Sequence, residues 1–226
     1  MPTIVLGTGN PHKVEEVRAI FASEGLGGVS VISLAEACPG RAVPEPEETG
    51  STFEVNATIK ALAYARAAGM AALADDSGLE VDALGGRPGV ISSHYCTGGR
   101  EAGMGRAERD AANNARVMRE LSGVPAEGRG ARFVCVMVLA SPAGVLAVSR
   151  GVFEGRIGVP GGVPGGVPRG VNGFGYDPLF LVGPEHRVTS AELAAGEKNR
   201  LSHRGAAARS MAAQIRALCP AALGVR

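Results

Sequence analysis

Arginine carries nearly all of the positive charge in this chain: of 23 basic residues only Lys13, Lys60 and Lys198 are lysines. A lysine is a compact point charge on a flexible stem and a common phosphate ligand, whereas arginine brings a broad planar fork. Each of the three stands in a polar, motif-like setting: Thr8-Gly9-Asn10-Pro11-His12-Lys13, Asn56-Ala57-Thr58-Ile59-Lys60 and Glu197-Lys198-Asn199. In a composition so drained of lysine, these positions are candidates for holding phosphate. The turn Gly7-Thr8-Gly9-Asn10 supports the first of them. It follows an apolar run and precedes a helical pattern, a place where free backbone N–H groups and the positive end of a helix dipole can receive an anion. It is neither G-x-x-x-x-G-K-[ST] nor G-x-G-x-x-G, so neither standard phosphate motif applies.

Asp75-Asp76-Ser77-Gly78 offers acid chemistry. Two adjacent carboxylates in an extended chain point to opposite faces, so one can enter a site while the other braces its surroundings. A buried carboxylate needs a cation or hydrogen-bond donors. Mg²⁺ fits where phosphates are near, because it takes one or two carboxylates plus substrate oxygens. Glu47-Glu48-Thr49-Gly50 is a second acidic cluster and a possible source of another ligand, or simply a solvated loop. Asn172-Gly173-Phe174-Gly175-Tyr176-Asp177-Pro178 combines glycines that permit close backbone approach with aromatics, and an exposed Phe can stack on a planar base. The alternative is a hydrophobic plug beside a turn. Ser202-His203-Arg204 could present donors to a base edge or to a phosphate, or could be a plain helix cap.

Elements that would position these groups follow from periodicity. Thr3 to Leu6 reads as a buried strand, and Val14, Val17, Ile20 and Phe21 give a helix from Pro11 to about Ser23. Val29 to Ser33 reads as a strand and Arg41 to Gly50 as a loop. Ser51 or Thr52 caps a long helix ending at Gly69, with Glu54 as part of a loose capping box. Ala71 to Ala74 is apolar, and Leu79, Val81 and Ala83 alternate as in a half-buried strand. Gly85 to Gly89 is a turn, and a helix covers Arg106 to Leu121. Arg132 to Ala140 and Val145 to Phe153 form a hairpin around the four-residue loop Ser141 to Gly144. The tandem G-G-V-P repeat at 161–168 reads as a flexible loop insertion, unsuited to helix or strand. Leu179 to Val182 is a last strand and Ser202 to Leu218 an Ala-rich helix. Strands alternating with helices indicate an α/β protein.

The totals exclude several classes. A length of 226 residues and a 45% apolar fraction suit a globular domain with a sizeable core. A net charge of +1 and the lack of Trp argue against a nucleic-acid partner. No stretch approaches a membrane span or a signal peptide. The cysteines Cys38, Cys96, Cys135 and Cys219 form no C-x-x-C pair and sit at no metal-ligand spacing. A reduced, cytoplasmic location is expected.

In order along the chain, Thr8-Gly9-Asn10-x-x-Lys13, Glu48-Thr49-Gly50-x-Thr52-Phe53, Asn56-Ala57-x-x-Lys60-Ala61, Ala74-Asp75-Asp76-Ser77-Gly78-Leu79, Gly85-Gly86-x-Pro88-Gly89, Gly173-Phe174-Gly175-Tyr176-Asp177-Pro178 and Glu197-Lys198-x-x-x-Ser202-His203-Arg204 resemble the inosine triphosphate pyrophosphatase family, the RdgB-like non-standard purine NTP pyrophosphatases. The resemblance spans almost the whole chain. It implies a single domain over 1–226, with an elongated mixed α/β sheet flanked by helices and two lobes around a central nucleotide cleft, and a homodimer. It implies hydrolysis of ITP, dITP and XTP to the monophosphate and pyrophosphate with Mg²⁺. By the same resemblance Thr8, Gly9, Asn10, Pro11, His12, Lys13 and Lys60 hold the triphosphate. Asp76 is the general base and a metal ligand, with Glu48 also on the metal and Glu47 a lesser substitute. Ser77 contacts substrate, Phe174 stacks on the purine, and Gly175, Tyr176 and Asp177 shape its pocket. Lys198, His203 and Arg204 read the 6-oxo edge. Two departures stand out: His94 occupies the place of an expected arginine in Ser92-Ser93-His94-Tyr95, and the G-G-V-P repeat lengthens the loop before Phe174. The nearest alternative is a Maf-like pyrophosphatase acting on dTTP, UTP or modified nucleotides.

Overall fold

A computed structural model describes residues 2–8, 11–161 and 166–218. The chain folds as two compact units. The first takes Met1–Asp76, Cys135–Gly151 and His203–Arg226, and the second takes Ser77–Val134 and Val152–Ser202.

In the first unit, β1 (Thr3–Leu6) is followed by α1 (Pro11–Ser23), β2 (Ser30–Ser33), the short α2 (Leu34–Ala37) and α3 (Phe53–Ala68). β3 (Ala72–Val81) carries the chain into the second unit, so the apolar run and the alternating run of the sequence are one strand. β1 lies parallel to both β2 and β3, with Val5 opposite Ala72 and Leu6 opposite Leu73. Parallel strands of this kind read as continuous apolar runs because both faces are covered. Strand order in the main sheet is β2-β1-β3-β4-β5-β8, a mixed sheet, where β4 is Gly130–Ser141, β5 is Gly144–Ile157 and β8 is Phe180–Val182. The core of this unit joins Ile4 and Leu6 to Val17 and Phe21 of α1, Met137 and Leu139 of β4, and Ala208 and Met211 of α6 (His203–Ala217).

The second unit has its own core, built from Leu79, Val81, Tyr95, Val117, Leu121, Ile157 and Phe180. Around it lie α4 (Arg106–Glu120), a 3₁₀ segment over Gly89–Thr97 and α5 (Ala195–Leu201). β8 pairs antiparallel with the end of β5, with Ile157 opposite Phe180.

Three expectations from the sequence need correcting. The β4–β5 connection is two residues, Pro142 and Ala143, because both strands extend further than the apolar pattern shows; the Ser141 hydroxyl closes the turn by accepting from the Ala143 N–H at 3.3 Å. Thr52 does cap α3 by accepting from the Val55 N–H at 3.2 Å, but Glu54 falls one position short of the residue that a capping box uses. The segment around the G-G-V-P repeat forms a short parallel pair between β6 (Val159–Pro160) and β7 (Gly166–Val167). Within that repeat, residues 162–165 lie outside the described residues. The 3₁₀ segment, α2 and α5 carried too little periodicity to be read from the sequence.

Candidate functional site

Each unit holds a cluster of chemistry-bearing side chains, and each cluster is organised by one helix face.

In the first unit that helix is α3. Thr52 starts it, and Gly69 ends it in the left-handed conformation at φ 68°. Residues four apart share a helix face, and Asn56, Lys60 and Tyr64 are all buried along one stripe. The Lys60 ammonium, 7% exposed, donates to Glu48 Oε1 at 2.7 Å and to Asp76 Oδ1 at 3.4 Å. Asn56, 1% exposed, ties two segments together: its Nδ2 donates to Asp76 Oδ2 at 3.1 Å and its Oδ1 accepts from the Gly50 N–H at 2.7 Å. A Cβ at Gly50 would collide with that Asn56 amide, so the glycine lets the Glu48 loop close onto α3. Tyr64 packs beneath Gly7, where a Cβ would strike its ring.

Asp75 and Asp76 diverge as neighbours in a strand must. Asp75 meets a separate pair of cations: Lys13 Nζ at 3.0 and 3.1 Å, and Arg204 Nε at 3.5 Å. Burial opposes ionisation of Asp75, but Lys13 and then Arg204 outweigh it and hold the carboxyl well below the usual range. Asp76 shifts the other way. Burial is the largest influence and raises it, Lys60 lowers it, and Glu48 raises it again, leaving Asp76 above the ordinary value. The distances account for this: Glu48 holds the closer share of the Lys60 ammonium. For Lys60, burial works against the charge, but Asp76 and Glu48 together keep it raised.

In the second unit the centre is the loop before β8. Gly173 and Gly175 have φ of 81° and 61°, the left-handed region that other residues rarely adopt. Between them Phe174 remains 49% exposed. A Cβ at Gly173 would run into Asp177 Oδ2 and Lys198 Nζ. Asp177 is the hub of this loop: Oδ2 accepts from the Phe174 N–H at 2.9 Å and from Lys198 Nζ at 2.5 Å, and Oδ1 accepts from Ser190 Oγ at 2.8 Å. Tyr176 is buried and donates to the Ser92 carbonyl at 2.8 Å. Ser92 in turn accepts from the Leu79 N–H at 2.9 Å, locking the 3₁₀ segment to β3.

The expected site residues are therefore distributed as follows. Lys13, Lys60, Glu48, Asp76 and Arg204 stand in the first unit's ion-pair groups, with Thr8 just after β1 and Pro11 and His12 opening α1. Gly9 and Asn10 lie outside the described residues. Glu47 and Glu48 are both exposed, and Glu48 is the one that meets Lys60. Phe174, Gly175, Tyr176, Asp177 and Lys198 come together in the second unit, where Ser77 continues β3. Of the residues expected to read a base edge, Lys198 contacts the aromatic loop, Arg204 contacts Asp75, and His203 opens α6 beside Arg204. His94 sits at the surface, with Nε2 2.9 Å from Glu101 Oε2 and Nδ1 2.9 Å from Ser93 Oγ.

The sequence reading gave Asn56 no role, and it missed Arg106, Asp110 and Asn114, which face the Phe174 loop. Their spacing of four on an amphipathic helix was the available signal.

The first unit thus holds Lys60 and Arg204 buried beside carboxylates, and the second holds an aromatic loop shaped by two left-handed glycines. The model of the Ham1 family matches residues 4–214, and the chain belongs to that family. It is 48% identical over 209 residues to the dITP/XTP pyrophosphatase of Nitratidesulfovibrio vulgaris, covering 92% of this chain and 93% of the relative. It is 43% identical over 212 residues to the dITP/XTP pyrophosphatase of Exiguobacterium sibiricum, covering 94% and 96%. Among solved structures, a HAM1 protein from Coxiella burnetii superposes with a TM-score of 0.79 at 37% identity, covering 96% of this chain and 100% of that one.

Proposed function

We propose that this chain is a nucleoside triphosphate pyrophosphatase that hydrolyses ITP, dITP and XTP to the monophosphate and pyrophosphate, and that residues 1–226 serve this activity as a single domain. The observation that carries the reading is the divergence of Asp75 and Asp76: one is locked between Lys13 and Arg204, the other is held by Asn56 and Lys60 with a raised pKa. The relatives' activity on dITP and XTP supports the substrate class.

Asp76 is the general base. A carboxylate whose pKa is raised toward the working pH accepts a proton from water more readily than an ordinary aspartate. Asn56 fixes its Oδ2 and Lys60 its Oδ1, so its orientation is set before substrate arrives. Lys60 and Lys13, with Thr8, bind phosphate oxygens and offset charge that develops at the attacked phosphorus. Ser77 adds a hydroxyl contact.

The donor set also fits Mg²⁺. In the two ion-pair groups Lys13, Lys60 and Arg204 are matched by Glu48, Asp75 and Asp76, so a triphosphate brings negative charge that these side chains do not neutralise by themselves. Among the described residues no three His, Cys, Asp or Glu side chains form a ready metal cage, but Mg²⁺ binds by one or two carboxylates together with substrate phosphates and waters. Glu48 and Asp76, already sharing one cation in Lys60, are the residues that would hold it. When bound, Mg²⁺ supplies Lewis acidity at the phosphate oxygens and charge neutralisation.

In the second unit, Phe174 stacks on the purine, Gly175, Tyr176 and Asp177 shape the pocket, and Lys198 offers a donor to the 6-oxo group; the family resemblance assigns His203 and Arg204, which belong to the first unit, to the same edge. A donor facing O6 discriminates against adenine, whose amino group would leave it unpaired at a cost of about 1–3 kcal/mol. The enzyme works in the reducing cytoplasm, a placement supported by the free thiols Cys38, Cys96 and Cys135. No helix among the described residues is long and apolar enough to cross a membrane. Its working form is a homodimer, which light scattering would check.

The test is pyrophosphate release from ITP, dITP, XTP, GTP, ATP and dTTP with Mg²⁺, for wild type and Asp76→Asn. Turnover of the first three, reduced by about 10²–10⁴-fold in the variant, is the expected result. Turnover of dTTP without ITP would replace this reading with the Maf-like one.

A further inference from the structure

The Phe174 loop is held by a helix face to which no substrate role has been assigned. Arg106, Asp110 and Asn114 follow one another at intervals of four on α4 and so share a stripe. Each meets the loop. The Asp110 carboxylate accepts from the Gly175 N–H through Oδ2 at 3.0 Å, and Asn114 Nδ2 donates to the Gly175 carbonyl at 3.0 Å. Both backbone groups of one left-handed glycine are thereby pinned by side chains four residues apart. The third residue reaches the aromatic ring: the Arg106 guanidinium lies 4.5 Å from the Phe174 ring centroid, within cation–π range.

Two features indicate that this stripe serves recognition rather than general stability. Asn114 Oδ1 is buried and has no hydrogen-bond partner among the described residues, so the amide is kept at a cost for what its Nδ2 does. Also, Phe174 is one of the few large apolar side chains left exposed, and a solvent-facing ring gains little from being pinned unless something stacks on it. At 4.5 Å the guanidinium leaves no room for a base between itself and the ring, because two stacked planar groups would need about twice the contact separation of 3.5–4 Å. It therefore acts as a back-plate.

We propose that the Arg106–Asp110–Asn114 face of α4 is the positioning element for base recognition: Asp110 and Asn114 clamp Gly175 so that Phe174 is presented, and Arg106 backs one face of its ring so that the purine stacks on the other. The proposal rests on the purine triphosphatase reading above.

The experiment measures kcat and KM for ITP and the inhibition constant of inorganic tripolyphosphate, a probe with phosphates and no base, in wild type, Arg106→Ala, Arg106→Lys, Asp110→Ala and Asn114→Ala. The expected result is a KM for ITP raised about tenfold in Asp110→Ala and Asn114→Ala, as the loss of one charged or well-placed hydrogen bond produces. Arg106→Ala raises it about two- to fivefold, and Arg106→Lys recovers most of that, since an ammonium also makes the cation–π contact. In every variant kcat stays within about twofold and tripolyphosphate inhibition is unchanged, the pattern of lost uniform binding. Parallel weakening of ITP and tripolyphosphate would overturn the proposal, because the stripe would then be supporting the fold at large. A lower KM in Arg106→Ala would also overturn it, making Arg106 a competitor of the base. If wild type turns over ITP and no variant shifts KM, the inference fails alone; if wild type turns over no purine triphosphate, the underlying reading fails with it.

Discussion

Two helices do similar geometric work in this protein with opposite chemistry. α3 presents Asn56, Lys60 and Tyr64, and α4 presents Arg106, Asp110 and Asn114, each set at intervals of four residues. On α3 the stripe is buried and ionic: Lys60 lies between two carboxylates, and Asn56 carries hydrogen bonds to both Asp76 and Gly50. On α4 the partners are backbone groups of a glycine and the face of a half-exposed ring. Burial makes the first arrangement rigid and costly to break, because a buried charge that loses its partner is strongly penalised. Exposure makes the second cheap to break and consequential only when a ligand arrives. Substitutions near Asp75 and Asp76 should therefore register in stability and kcat, and those near Phe174 in KM.

Asp75 gives that contrast its largest test. Asp75→Asn removes the carboxylate that neutralises Lys13 and the buried Arg204, and breaking a buried pair on one side costs about 3–5 kcal/mol. The loss should depend on pH in a defined direction. The folded carboxyl titrates below its unfolded value, so its stabilisation is present in full above the ordinary range, about pH 4, and is lost as pH falls toward the depressed value. Thermal melts should show the gap in Tm between wild type and Asp75→Asn widest near neutrality and closing only below about pH 4. A gap of the same size at all pH values would mean that the cost lies in packing and not in charge.

Phe174→Ala probes the other side. The ring is exposed, so its loss should change stability by no more than about 0.5 kcal/mol. Base stacking on an aromatic is worth about 1–3 kcal/mol, which predicts a KM for ITP higher by about 5- to 150-fold at nearly constant kcat. Steady-state kinetics beside a thermal melt would check both halves. A large drop in Tm without a change in KM would erase the distinction between the two regions.

The two stripes also differed in how well the sequence revealed them. The first was legible because Lys13 and Lys60 are rare residue types in this chain and because Asp75-Asp76 follows the apolar run Ala71 to Ala74, although the pair proves to lie inside β3 and not at a strand end. Thr52 and Gly69 marked the limits of α3 by capping chemistry. What periodicity could not supply was pairing: Asp75 with Lys13 spans 62 residues of chain and Arg204 comes from another element. On α4, arginine was the common cation of the chain and carried no signal, and Asp110 and Asn114 act on a backbone glycine 61 or more residues away. The β4–β5 loop was misjudged for a related reason: Ser141 and Gly144 look like turn residues but belong to strands whose length is set by neighbours in the sheet.

The smallest effect expected is at Tyr176, and it sharpens the contrast because this residue is buried yet belongs to the second region. Burial raises the Tyr176 phenol well above its usual pKa, so it remains a neutral donor, and its hydroxyl meets the Ser92 carbonyl at 2.8 Å. That carbonyl also accepts from Asn113 Nδ2 at 3.3 Å. Tyr176→Phe thus removes a donor while leaving the acceptor partly satisfied and the ring in place, and the cost should be about 0.5–1.5 kcal/mol. Chemical denaturation would show a lower midpoint at unchanged slope, with KM for ITP within about twofold of wild type. If KM rose as far as in Phe174→Ala, the bond to Ser92 would be part of base recognition. The boundary between a rigid, stability-bearing region and a ligand-sensing one would then run through the 3₁₀ segment rather than along the face of α4.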